Sequence, residues 1–127
     1  MAFVGEYLAV ASGGAIGAAL RYGATAAVHG LLPRAFPWGT LAVNVVGSLL
    51  IGVAFVLLVE RSLPGSNLRL FFSVGLLGAF TTFSTFSLDT ITLYEAGAGL
   101  QAAAYGLASV TTCLLATLTG ILITRSF

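Results

Sequence analysis

The chain has 127 residues, of which 58% are hydrophobic, and a mean hydropathy of +1.06. Only 7% are charged, with a net charge of +1, whereas soluble domains carry about 25% charged residues. This excludes a soluble globular domain, makes the bilayer the main solvent, and argues against a nucleic-acid partner.

A helix needs about 20 residues to cross a bilayer. Four spans with short loops therefore use residues 1–127 as a single transmembrane domain. The expected class is an all-α, multi-pass membrane protein. The single cysteine, Cys113, excludes an intrachain disulfide and a cysteine-cluster metal site. No Lys or Arg precedes the first apolar stretch, which carries Glu6 and Arg21. It is expected to remain as a span rather than be cleaved as a signal peptide.

The first span is predicted over residues 3–28. Gly13 and Gly17 form a GxxxG pair, which lets helices approach where lipid supplies no hydrophobic drive. Arg21 falls late in this helix. It reads either as a snorkelling interfacial arginine or as an anchor or anion-attracting group at a pore mouth. Residues 29–37 form the first loop, with Pro33, Arg34 and Pro37. His29 reads as a solvated loop histidine, since nothing nearby completes a metal site.

The second span is predicted over residues 38–59. Trp38 follows Pro37, which suits the first turn of a helix at the interfacial aromatic belt. An amide at the depth of Asn44 is costly without partners. Asn44 is either interhelical glue or an NH₂ donor aimed at a permeating anion. Thr40 and Ser48 flank it at i−4 and i+4 and give one polar stripe. Residues 60–67 carry a clear turn signal.

The third span is predicted over residues 68–95, with a break at membrane depth. Every residue from Phe80 to Ser87 is Phe, Ser or Thr. These lose rotamer freedom in a helix or offer the backbone competing hydrogen bonds. Gly75 and Gly78 lie just before. Such a break is tolerated only inside protein or beside a water-filled cavity, and half-helix ends at breaks hold ions or substrate. Phe83 and Phe86 share a face and are interleaved with hydroxyls. Asp89 reads as an ordinary interfacial carboxylate near a vestibule. The fourth span is predicted over residues 100–124. Tyr105, Ser109, Cys113 and Thr117 recur every four residues on one face. That stripe either guides a partly dehydrated ion or bonds its own i−4 carbonyls and packs helices.

With four spans, Arg61, Arg69 and Arg125 fall on one side and Arg34 on the other, with Arg21 near it. Three against two barely specifies orientation under the positive-inside rule. A chain that inserts both ways can pair with an inverted copy in a closed two-fold assembly. Four short spans also leave little room for a pore inside one subunit. Both points favour a homodimer, antiparallel in the membrane.

The set Gly17-Ala-Ala-Leu-Arg21-Tyr22, Pro37-Trp-Gly-Thr40-Leu-Ala-Val-Asn44 and Gly78-Ala-Phe-Thr-Thr-Phe-Ser-Thr-Phe-Ser87 resembles the small bacterial fluoride channels, the Fluc (CrcB) family. The resemblance covers essentially the whole chain. It implies a fluoride-selective channel that lets fluoride leave the cell passively across the inner membrane, built as a dual-topology antiparallel homodimer. It implies that Phe83 and Phe86 are the pore phenylalanines and that Asn44, Thr40 and Thr85 line the same path. Tyr105 and Ser109 match the family's polar track, while Cys113 stands where a hydroxyl is expected. Gly78 and Thr81 match the backbone-carbonyl ligands of a structural sodium ion at the dimer interface, and Arg21 matches the family's first-helix arginine.

The chemistry of the residues agrees. A tightly hydrated anion needs replacement donors, which Asn NH₂ and Ser/Thr hydroxyls supply, and aromatic edges carry partial positive charge. Two rivals remain at this level. A proton-coupled exporter of small multidrug type wants an acidic residue deep in the first span, where Glu6 lies near the end. A non-transporting membrane subunit would use the glycines and hydroxyls only to pack helices. No nucleophile–base pair or metal cluster is visible, so an enzyme is not expected.

Overall fold

The computed structural model describes residues 2–63 and 65–127. Pro64, in the expected second loop, lies outside the described residues. Among the described residues the chain is all helix and turn. Helix α1 is Ala2–Leu31, and α2 is Trp38–Phe55, carried on by a π-helical stretch Val56–Glu60. Helix α3, residues 66–80, opens as Ser66–Arg69, widens to a π-helix over Leu70–Leu77 and closes as Gly78–Phe80. Helix α4 is Phe83–Glu95 and α5 is Gly99–Arg125. Four stretches are long and apolar enough to cross a membrane: Phe3–Leu31, Trp38–Glu60, Ser66–Glu95 and Gly99–Arg125.

The first helix runs further than its sequence suggested. Leu32 N–H still donates to Val28 at 2.8 Å, and the helix stops just before Pro33, whose ring cannot continue it. His29 is therefore a half-buried helix residue, not a loop histidine. Its ring edge packs where α2 begins: a Cβ at Gly39 would come within 2.9 Å of Nε2.

Two backbone-close contacts organise the bundle. Helix α1 lies on α3, where a Cβ at Gly17 would overlap the Leu76 carbonyl and one at Gly13 the Phe71 carbonyl. The GxxxG pair thus seats the first span on the third by removing side chains from the contact. Helix α2 lies on α5 by the same device at Gly52 and Gly120. Thr117 adds a bond from its hydroxyl to the Ser48 carbonyl at 2.9 Å. At the end where α2 and α5 finish together, Arg61 donates to the Thr124 carbonyl at 2.6 Å, and Arg125 pairs with Glu60. Helix α4 turns back into α5 through Gly97, at φ +83°, a left-handed position suited to glycine.

Candidate functional site

The third span leaves helical geometry at Thr81 and Thr82. Helix α3 ends at Phe80; Thr81 is extended at φ −87°, ψ 160°, and Thr82 at φ −152°, ψ 115°; helix α4 starts at Phe83. Each extended residue strands backbone groups that a helix would have paired, and in an apolar setting each needs a partner. The neighbouring helices supply several. From α1, Arg21 Nε donates to the Ala79 carbonyl at 3.0 Å. From α2, Asn44 bonds Thr82 twice: its Oδ1 accepts from the Thr82 N–H at 2.8 Å, and its Nδ2 donates to the Thr82 carbonyl at 3.0 Å. Within the strand-like piece, Thr82 Oγ1 accepts from the Thr85 N–H at 3.1 Å and so caps α4. The same oxygen donates to Thr85 Oγ1 at 3.1 Å and sits 3.3 Å from Ser84 Oγ. Among the described residues, the Gly78 and Thr81 carbonyls accept no hydrogen bond.

Beside the break lies a surface cavity of about 480 Å³. Asn44, Gly78, Thr81, Phe83, Phe86 and Ser109 all contribute to its wall, together with Cys113. Phe83 is 76% exposed, so its ring stands at the open side. The Phe83 and Phe86 ring centroids are 5.5 Å apart and tilted by 51°. Ser109 is only 5% exposed, yet its hydroxyl has no partner among the described residues. A buried polar atom left unpaired is costly, and this one belongs to a residue of the cavity wall.

Other expected site residues lie off that wall. Tyr105 is fully buried behind Phe86, at a centroid distance of 5.2 Å, and meets Phe36 edge-on at 5.4 Å. Its hydroxyl donates to Asp89 Oδ2 at 3.3 Å. Asp89 is thus held by α5 rather than standing as a bare interfacial carboxylate. Thr40 is buried beside the same tyrosine. Thr85, tied to Thr82, belongs to the cap of α4 and not to the cavity wall. Arg21 is engaged with α3 and is not simply snorkelling. Thr112 and Thr119, off the α5 stripe, bond their own i−4 carbonyls and are exposed. Sequence reasoning gave no role to Thr82, the residue that joins Asn44 to the cap of α4. Its only sequence signal was an N-cap residue type three positions before another threonine.

Two kinds of comparison bear on this geometry. Residues 8–121 match the family model described as CrcB-like protein, Camphor Resistance (CrcB). A protein of Hahella chejuensis, named fluoride-specific ion channel FluC, is 51% identical over 116 residues, covering 91% of each chain. Proteins of the same name from Magnetococcus marinus and Geobacter sulfurreducens are each 48% identical. The first covers 91% of this chain and 94% of its own; the second covers 93% and 95%.

Proposed function

The chain belongs to the CrcB family, and from that membership and the site we propose that it is a fluoride-specific ion channel rather than an enzyme or a coupled exporter. Fluoride is its substrate and the membrane its setting, for export in the cell's inner membrane. The observation that carries the reading is the cavity at the break. It combines a buried, unpartnered Ser109 hydroxyl with the Phe83–Phe86 pair and the start of α4.

The chemistry follows from what a bare fluoride ion needs. A pore must replace water's donors without holding the ion too tightly to let it leave. The Ser109 hydroxyl donates one bond. The ring edges of Phe83 and Phe86 offer partial positive charge with no full charge. The first turn of α4 points its unpaired N–H groups toward the break, equivalent to about half a positive charge. Thr40 and Tyr105, in the next layer, extend the polar track, with Thr85 tied to the same cap. Arg21, the one full positive charge near the break, spends its Nε on the Ala79 carbonyl and stands at the vestibule side as an anchor.

The opposite end of the break has the opposite polarity. Helix α3 ends there with negative carbonyl character, and Gly78 and Thr81 offer hard oxygen donors that accept no other bond among the described residues. These suit a sodium ion, with two carbonyls from each of two chains. Such an ion would supply positive charge that joins the half-helix ends across an interface. The break lies at mid-membrane in this reading, and the partner is a second, inverted copy of the chain. In support, Gly78 and Phe83 are exposed on one side of a thin bundle.

Purified protein reconstituted into liposomes should release loaded fluoride down its gradient and retain chloride. Equal release of both anions, or of neither, would overturn the reading. Fluoride movement that requires a proton gradient would instead place the chain with coupled exporters.

A further inference from the structure

We infer that Asn44 acts on conduction through Thr82, as a positioning residue, and not as a direct donor to the ion. The inference rests on the fluoride-channel reading for its flux measurement but stands on separate geometry. Each end of the Asn44 carboxamide holds Thr82: Oδ1 accepts from the Thr82 N–H at 2.8 Å, and one of the two Nδ2 hydrogens is donated to the Thr82 carbonyl at 3.0 Å. The pair mimics two adjacent strands exchanging both bonds of one residue. It reaches across 38 positions of sequence to the residue that has left helical geometry and whose two backbone groups face α2.

The consequence runs down the chain from Thr82. Its extended angles, φ −152° and ψ 115°, turn its hydroxyl onto the Thr85 N–H and bring it next to Ser84 and Thr85. That cap fixes the first turn of α4, from which Phe83 and Phe86 project. Without the Asn44 clamp, the Thr82 N–H would lose its partner, while its carbonyl would keep only the first intrahelical bond of α4. The cheapest way to pair that N–H is to continue the helix from α3. That would rotate both rings away from the cavity. In this arrangement Asn44 holds the break open, and the phenylalanines and Ser109 meet the ion.

The two roles separate in Asn44→Asp. As a carboxylate, the introduced group has acceptors only, so it repels the Thr82 carbonyl. Protonated, it is a near-isostere of the amide: its C=O accepts from the Thr82 N–H and its O–H donates to the Thr82 carbonyl. Protonation of the introduced carboxyl restores the clamp, so the comparison is made between neutral pH and an acidic pH at which titration of the variant shows that carboxyl protonated, about pH 5.5 or below. The acid has one donor, and the clamp uses it, so nothing is left for an ion. Fluoride efflux is measured for wild type and variant at both pH values, per dimer recovered by gel filtration, with protein-free vesicles subtracting leakage of hydrogen fluoride. The clamp predicts at least about a tenfold loss at neutral pH and recovery to within about threefold of wild type when acidified. Flux that stays low at both pH values, or stays normal at neutral pH, overturns it. A wild type that moves no fluoride would fail the channel reading instead.

Should the variant not assemble, amide exchange of the wild-type chain in lipid puts the same question without reference to flux. Phe83 and Ser84 open the first turn of α4, where N–H groups lack helical partners. The Thr82 N–H should exchange clearly more slowly than both, and equal rates at the three positions overturn the clamp.

Discussion

At the scale of single residues, the cavity wall separates side chains that hold the fold from those that hold nothing. Ser109 is buried with its hydroxyl unpaired among the described residues. Ser109→Ala should therefore leave thermal unfolding unchanged or stabilise the protein by about 1 kcal/mol, yet lower fluoride flux in liposomes. A variant that melts earlier and conducts normally would make Ser109 a packing residue. Phe83 and Phe86 invite the matching test. Phe83→Ile or Phe86→Ile keeps an apolar side chain but removes the ring edge. If one edge contact contributes about 1.4 kcal/mol at the limiting step, each change costs about tenfold in flux with the dimer intact on gel filtration. Near-normal flux in both would leave the hydroxyls as the pathway. The types of these residues were readable in sequence, because rings interleaved with hydroxyls suit neither lipid nor a dry core. Their partners were not. Asn44 finds Thr82 across the bundle, and Thr85 gives its bonds to Thr82 rather than to the cavity. No local spacing encodes either fact.

At the scale of elements, the weak-helix composition of residues 80–87 spreads over eight positions, but the chain departs from helical angles at two, Thr81 and Thr82. Residues 83–87 form regular helix, because capping by Thr82 offsets the poor propensity of the first turn. Propensity marks where a helix is weak; the residue that can cap and the neighbour that can clamp decide where it breaks. The seat of α1 on α3 was easier to read, since GxxxG has a direct steric meaning. Gly17→Val would drive two methyl groups toward the Leu76 carbonyl, at a cost of about 2–3 kcal/mol. It should also displace Arg21, one turn further on, from Ala79. Gly23→Ala, on the same helix, meets nothing within 4 Å and serves as the control. The first should lower the yield of assembled protein on gel filtration and lower flux per dimer, and the second should change neither. Equal behaviour of the two would show that the α1–α3 contact is not what seats the break.

At the scale of the whole molecule, the proposed inverted pairing turns on a charge balance that few side chains control. Arg61, Arg69 and Arg125 lie on one side of the bundle and Arg34 on the other, with Arg21 bonded to Ala79 near the break. Orientation follows the count of Lys and Arg in short loops, not net charge, so pairing Arg125 with Glu60 does not remove it from the count. In the proposed inverted pair a margin this small would let both orientations insert, and the assembly would need both. Leu63→Lys with Ser66→Lys should fix that loop on the cytoplasmic side in nearly every copy. Leu32→Lys with Ala35→Lys, on exposed residues of the opposite loop, should fix the other. A tag on the C-terminus, probed from each face of intact cells, should report both orientations in the parent chain and one in each lysine variant. Fluoride resistance of the cells should fall in either variant alone, since an inverted partner becomes scarce, and return when the two are expressed together. Recovery on co-expression is the informative result, because it shows that neither set of lysines harms the fold. A parent chain with every tag on one face, or variants that conduct fully on their own, would replace the inverted pair with a parallel one. The two half-helix breaks would then no longer be related by an axis lying in the membrane plane.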